Sequence, residues 1–138
     1  MRGISTFCSL ALVFAAAVGC AQTGGSTAVS GTVVDASKSG TAVTLASGES
    51  LTVRLAGNAT TGYSWTCTNA LAGVLVPAGA PDYEPTPVEP GVVGSGGTYV
   101  FRFRAVAPGT GNLQFAYARS WEKDVAPAQT ASYAVTVR

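Results

Sequence analysis

The sequence predicts an all-β protein, an immunoglobulin-like sandwich of about seven or eight antiparallel strands, and three observations carry that expectation. Short runs alternate apolar and polar residues with the period of two that a half-buried strand requires. Clusters of Gly, Ser, Asn, Asp and Pro separate the runs, and beyond the apolar N-terminal stretch no helical periodicity of useful length is present. Strands with one apolar face each bury those faces by packing as two sheets. With 138 residues and 47% hydrophobic content, the chain holds one domain with a sizeable core.

The chain opens on a short positive start, Met1-Arg2, followed by an apolar run from Leu10 to Val18 and by Gly19-Cys20. The run is well short of the roughly 20 residues of a membrane span, so residues 1–19 read as a secretory signal. Ala17-Val18-Gly19-Cys20 resembles a bacterial lipobox, with Ala17 where leucine is commonest. Lipidation of Cys20 is the expectation, with plain secretion and cleavage near Ala21 as the alternative. Residues 20–30, rich in Gly, Ser and Thr, read as a flexible tether, and residues 31–138 as the domain. The protein is thus expected to be exported and held by a lipid on a membrane, facing the periplasm or the cell exterior.

Within the domain, Val33-Val34 suggests a short leading strand. Thr41-Leu45 reads as the next strand, and Ser47-Gly48-Glu49 turns it into Leu51-Leu55 as an expected hairpin. Tyr63, Trp65 and Cys67 alternate with Ser64, Thr66 and Thr68 in the next strand, and a short strand follows around Val74-Val76. Residues 77–90 carry five of the seven prolines together with Asp82, Glu84 and Glu89, which predicts a long extended crossover between the sheets with a solvated acidic face. In the longest strand Tyr99, Phe101, Phe103 and Ala105 face inward, while Arg102 and Arg104 mark the other face, with Val100, as exposed. Leu113, Phe115 and Tyr117, and finally Tyr133, Val135 and Val137, complete the alternation. The expected core is Leu51, Val53, Leu55, Trp65, Phe101, Phe103, Leu113, Phe115, Val135 and Val137, with Trp65 central.

Composition excludes several kinds of function. Charged residues make up only 11% of the chain and the net charge is +1, so there is no basic field for nucleic acid, and partners are to be sought by shape and apolar contact. There is no histidine, which removes the usual general base of hydrolases and the commonest metal ligand. Cys67 would be left alone on an inward face, where a small buried hydrophobe is the simple reading and a catalytic thiol would lack its base. No enzyme, cofactor, metal site or disulfide is expected.

The connection Asn58-Ala59-Thr60-Thr61-Gly62, leading into Tyr63, is richer than simple reversal needs. It spends two β-branched threonines beside a glycine that can take positive φ, although Asn, Thr and Gly also serve plain turns. Gly94-Ser95-Gly96-Gly97 precedes the longest strand, and Arg119-Ser120-Trp121 follows the strand through Tyr117. In order and spacing the three stretches resemble the motifs of chagasin-type inhibitors of papain-like cysteine proteases: Asn-Pro-Thr-Thr-Gly-aromatic, Gly-x-Gly-Gly and Arg-Pro-Trp. The resemblance covers roughly residues 41–138. Ala59 and Ser120 stand where that family often has proline, which removes a restraint on φ from two of the loops.

The resemblance implies an immunoglobulin-like fold and a reversible, competitive inhibitor, expected to be monomeric, whose partner is a papain-like cysteine protease. It implies that Asn58–Gly62 enters the active-site cleft, with Thr60 and Thr61 near the catalytic cysteine, and that the Gly94–Gly97 stretch lies along one flank. For Trp121 the expectation is direct contact, since Trp is enriched in interface hot spots. Arg119, which continues the inward phase of its strand, is expected to order the loop by hydrogen bonds to backbone carbonyls. The competing expectation is a lipid-anchored structural or adhesive envelope module whose glycine loops are mere connections.

Overall fold

The computed structural model describes residues 30–92 and 94–138. The expected signal, the lipidation site at Cys20 and nearly all of the tether lie outside the described residues. Among the described residues, nine strands form two facing sheets: β1 (Gly31–Asp35), β2 (Ala42–Leu45), β3 (Ser50–Gly57), β4 (Tyr63–Asn69), β5 (Leu75–Pro77), β6 (Asp82–Pro85), β7 (Gly97–Ala105), β8 (Gly109–Arg119) and β9 (Gln129–Val137). One sheet runs β1-β3-β7-β5, with β6 joining β7 on the same edge as β5; the other runs β2-β9-β8-β4.

The expected sandwich is present, with one correction to strand direction. Both sheets are mixed, because β1 pairs parallel with β3 and β2 pairs parallel with β9. The expected hairpin between Thr41-Leu45 and Leu51-Leu55 is also absent. The turn at residues 46–49 instead carries the chain from one sheet to the other, tied down where Gly48 N–H donates to Ala105 O at 2.8 Å and Ser47 N–H to Arg138 O at 2.9 Å. Period-two alternation places a residue on a face but leaves open which strand lies beside it, so a tight turn was indistinguishable from a sheet change.

A second correction concerns residues 77–90, which do not cross between the sheets. β5 and β6 both pair antiparallel with β7, Leu75 lying opposite Ala105 and Tyr83 opposite Tyr99. As an edge segment it accommodates prolines, whose missing N–H groups face no partner strand. Two of its acidic residues are engaged across the outer face, Glu84 with Arg54 and Asp82 with Arg102. Val100 lies in register between Arg54 and Asp82 and is fully buried, against the expectation that this face is simply exposed.

All ten expected core residues are buried. Phe115 sits at the centre, its ring 4.8 Å from that of Phe101 and 6.3 Å from that of Tyr133. Each large aliphatic or aromatic side chain so buried stabilises the fold by about 1.5–3 kcal/mol before conformational entropy is subtracted. Cys67 is free and half-buried, and burial pushes its thiol pKa up, away from the thiolate a nucleophile needs.

Candidate functional site: three loops at one end

Strand direction decides which loops meet. β3 ends at Gly57, directly opposite Gly97 where β7 begins, and β4 begins at Tyr63, opposite Arg119 where β8 ends. The connections after β3, before β7 and after β8 therefore leave the same end of the sandwich. The three sequence stretches singled out above are these connections.

The first connection is a single 3-10 turn over Ala59–Thr61. Asn58 caps its start, its Oδ1 accepting from Thr60 N–H at 3.0 Å and from the Thr60 hydroxyl at 2.6 Å. The Thr61 hydroxyl donates to Asn58 O at 2.7 Å. Gly62 closes the turn in the left-handed region with φ 78°, a conformation that favours glycine. These bonds leave Ala59, Thr60 and Thr61 exposed at the tip of a defined turn.

The same asparagine ties the first loop to the second, since Asn58 Nδ2 donates to Gly94 O at 3.0 Å. Gly94 takes φ 81° and is exposed, while Ser95 and Gly96 are half-buried. Gly97 is buried: a Cβ there would lie 2.5 Å from Glu84 O and 2.6 Å from the Tyr83 ring, so this glycine serves the approach of β6. Of the Gly94–Gly97 stretch, Gly94, Ser95 and Gly96 are thus the part open to a partner.

Arg119 and Trp121 tie the third loop to the first. Arg119 Nε donates to Thr61 O at 3.3 Å, and its guanidinium lies 4.4 Å from the centre of the Tyr63 ring and pairs with Glu122 at 3.2 Å. The backbone-ordering hydrogen bond expected of Arg119 is therefore made. Ser120 is exposed, and Trp121 is 64% exposed, although its ring edge packs on Gly62. A Cβ at Gly62 would stand 2.3 Å from Trp121 Cη2. Gly62 is thus required twice, by its φ and by the indole.

Sequence reasoning missed the residues beneath the loops. Tyr117 stacks on Tyr63 and tilts against Trp65, both with ring centres 5.2 Å apart, and Trp65 Nε1–H donates to Ala56 O at 3.0 Å. Asn58 N–H donates to the Tyr117 hydroxyl at 2.8 Å, and the Tyr99 hydroxyl donates to Tyr63 O at 3.2 Å. Burial, and then the neighbouring Tyr117 and Tyr83, raise the pKa of Tyr99, which keeps it a donor. One sequence signal could have found them: both occupy inward positions at the loop end of their strands, where a buried phenol needs a hydrogen-bond partner.

A rigid β-sandwich that joins three loops into one exposed end, its one described thiol held protonated by burial, defines a loop-presenting binding protein. Residues 44–137 match the family described as "Chagasin family peptidase inhibitor I42", and the chain belongs to that family. Its members are protease inhibitors, not enzymes, and the envelope-module reading is not favoured. Amoebiasin-1 from Entamoeba histolytica is 33% identical over 81 residues, covering 59% of this chain and 76% of that protein. The crystal structure of the cysteine protease inhibitor EhICP2 from Entamoeba histolytica shares the fold with a TM-score of 0.72 at 19% identity, over 79% of this chain and 96% of that one. The structure of PbICP-C in complex with falcipain-2 shares it with a TM-score of 0.50 at 17% identity, over 80% of this chain and 91% of that one.

Proposed function

We propose that the protein is a reversible, competitive inhibitor of papain-like cysteine proteases that fills the active-site cleft with the turn Asn58–Gly62. Gly94–Gly96 and Trp121 contact the two flanks. The observation that carries this reading is the tying of the three loops into one surface, through Asn58 to Gly94, Arg119 to Thr61, and Trp121 against Gly62. That PbICP-C, which shares the fold, is bound to falcipain-2 in its solved structure supports a protease of this kind as partner.

Thr60 and Thr61 are stiff at χ1 and lose little rotamer entropy on burial. Their hydroxyls are already bonded to Asn58, so the tip arrives ordered. A backbone curled into a 3-10 turn offers no extended scissile carbonyl in line with an attacking thiolate, so the turn obstructs without being cleaved. Three such loops would bury a standard interface of about 1,600 Å². No chemistry of the inhibitor's own is involved.

Export through the signal at residues 1–19 and attachment through lipid on Cys20 belong to the same proposal, as do the monomeric state and an encounter outside the cytoplasm. The test is steady-state inhibition of papain by the purified protein over a range of substrate concentrations. Competitive inhibition at nanomolar protein supports the proposal, and papain left untouched at micromolar protein refutes it.

A further inference from the structure

Resting on the inhibitory reading above, we infer that the hydroxyls of Tyr117 and Tyr99 are positioning groups that hold both ends of the Asn58–Gly62 turn in its binding form before a protease arrives. A single 3-10 turn has no stability of its own, since its few internal bonds do not offset the entropy of ordering it. Something outside the turn must fix it. The two phenols reach the residues that bracket it: the Tyr117 hydroxyl accepts from Asn58 N–H at 2.8 Å and donates back to Asn58 O at 3.4 Å, and the Tyr99 hydroxyl donates to Tyr63 O at 3.2 Å.

The packing around both rings is built to place those hydroxyls. Tyr117 is held between Tyr63 and Trp65, and Tyr99 is held against Tyr83 with ring centres 4.8 Å apart. Gly57 makes the approach possible, because a Cβ there would lie 2.9 Å from Tyr99 Cε2 and 3.0 Å from Tyr117 Cε2. The two rings come from different sheets, β7 and β8, and meet at the last residue of β3, so the turn is referenced to both halves of the sandwich. Phenylalanine at either position would preserve the apolar packing and remove only the grip on the loop backbone.

The structure also offers a second way to restrain the same turn. Ala59 is its first residue, where a missing N–H costs no bond within the turn, and Asn58 before it has φ −127° and ψ 103°, in the extended region and close to the range that a residue before proline prefers. Ala59→Pro therefore stiffens the turn by a route independent of the phenols.

Four forms of the protein decide the matter: wild type, Tyr117→Phe, the double variant Tyr99→Phe/Tyr117→Phe, and that double variant carrying Ala59→Pro. Three quantities are read on each: the thermal midpoint, amide hydrogen exchange at Asn58, Thr60, Thr61 and Gly62, and the association and dissociation rates with papain. In the double variant, with the midpoint only a few degrees lower, we expect loop amides to exchange at least about tenfold faster while those of β7 and β8 stay protected. Association with papain is expected to slow by about tenfold, and Ala59→Pro to recover most of that loss. Loop exchange that does not change in the double variant overturns the inference, as does slowed association that Ala59→Pro leaves unrelieved. If the double variant unfolds, the same exchange comparison in Tyr117→Phe decides. A wild type that does not inhibit papain refutes the inhibitory reading alone, since the exchange comparison still decides whether the phenols order the turn.

Discussion

At the scale of single residues the loop end divides into side chains exposed for the proposed contact and side chains that hold those in place. Trp121 belongs to the first kind, and Trp121→Ala is expected to weaken inhibition of papain by about 2 kcal/mol or more with an unchanged thermal midpoint; an unchanged inhibition constant removes it from the interface. Gly62 belongs to the second. Gly62→Ala must place a side chain at φ 78° and into the indole of Trp121, so it is expected to lower stability by about 1–3 kcal/mol and to weaken inhibition as well, read by melting and by inhibition assays on the same sample. The exposed group, Thr60, Thr61 and Trp121, was legible in the sequence because it lies within short motifs of recognisable order. The supporting group was not. Asn58 reads as a turn residue, and nothing local shows that its Nδ2 reaches Gly94, 36 residues away. Tyr117 and Tyr99 read as core, because alternation records the direction of a ring and not the destination of its hydroxyl.

At the scale of elements, the alternation of β3, β7, β8 and β9 made the core legible residue by residue, while pairing partners stayed hidden. β1 and β2 lie parallel to strands far along the chain, and β6 hides within a proline-rich stretch whose pattern is not that of a strand. β6 is held beside the second loop by Tyr83 against Tyr99 and by the absence of a side chain at Gly97. Gly97→Ala is expected to push β6 away, exposing its amides to exchange and weakening inhibition through the loop it supports. β1 is fastened differently, by the buried Tyr133 hydroxyl donating to Asp35 O at 2.7 Å. Burial, reinforced by the Asp35 charge, pushes the pKa of Tyr133 up to about 12. Because the folded pKa lies above the usual tyrosine value near 10, the neutral phenol's contribution is intact below about pH 10 and is lost as pH rises from there through about 12. Alkaline unfolding should set in across that window, read by far-UV circular dichroism as pH is raised; a fold that persists unchanged through it contradicts this.

For the molecule as a whole, the sandwich separates the end that carries the three loops from the end at which β1 begins. The loops leave the end marked by Gly57, Gly97 and Arg119, whereas β1 begins at Gly31 opposite Ser50, at the far end of β3. The proposed tether thus joins the end away from the loops, and protein attached to membrane vesicles is expected to inhibit papain as well as protein released from them. In the proposed function, three loops tied into one surface obstruct a papain-like active site. Titrating papain with wild type and with the Thr60→Ala/Thr61→Ala/Trp121→Ala variant, the fold of the variant being verified by its melting curve, puts this to the test. Nanomolar competitive inhibition by the wild type, lost in a folded variant, is the predicted result. Equal inhibition by the two proteins, or none by the wild type at micromolar concentration, contradicts it.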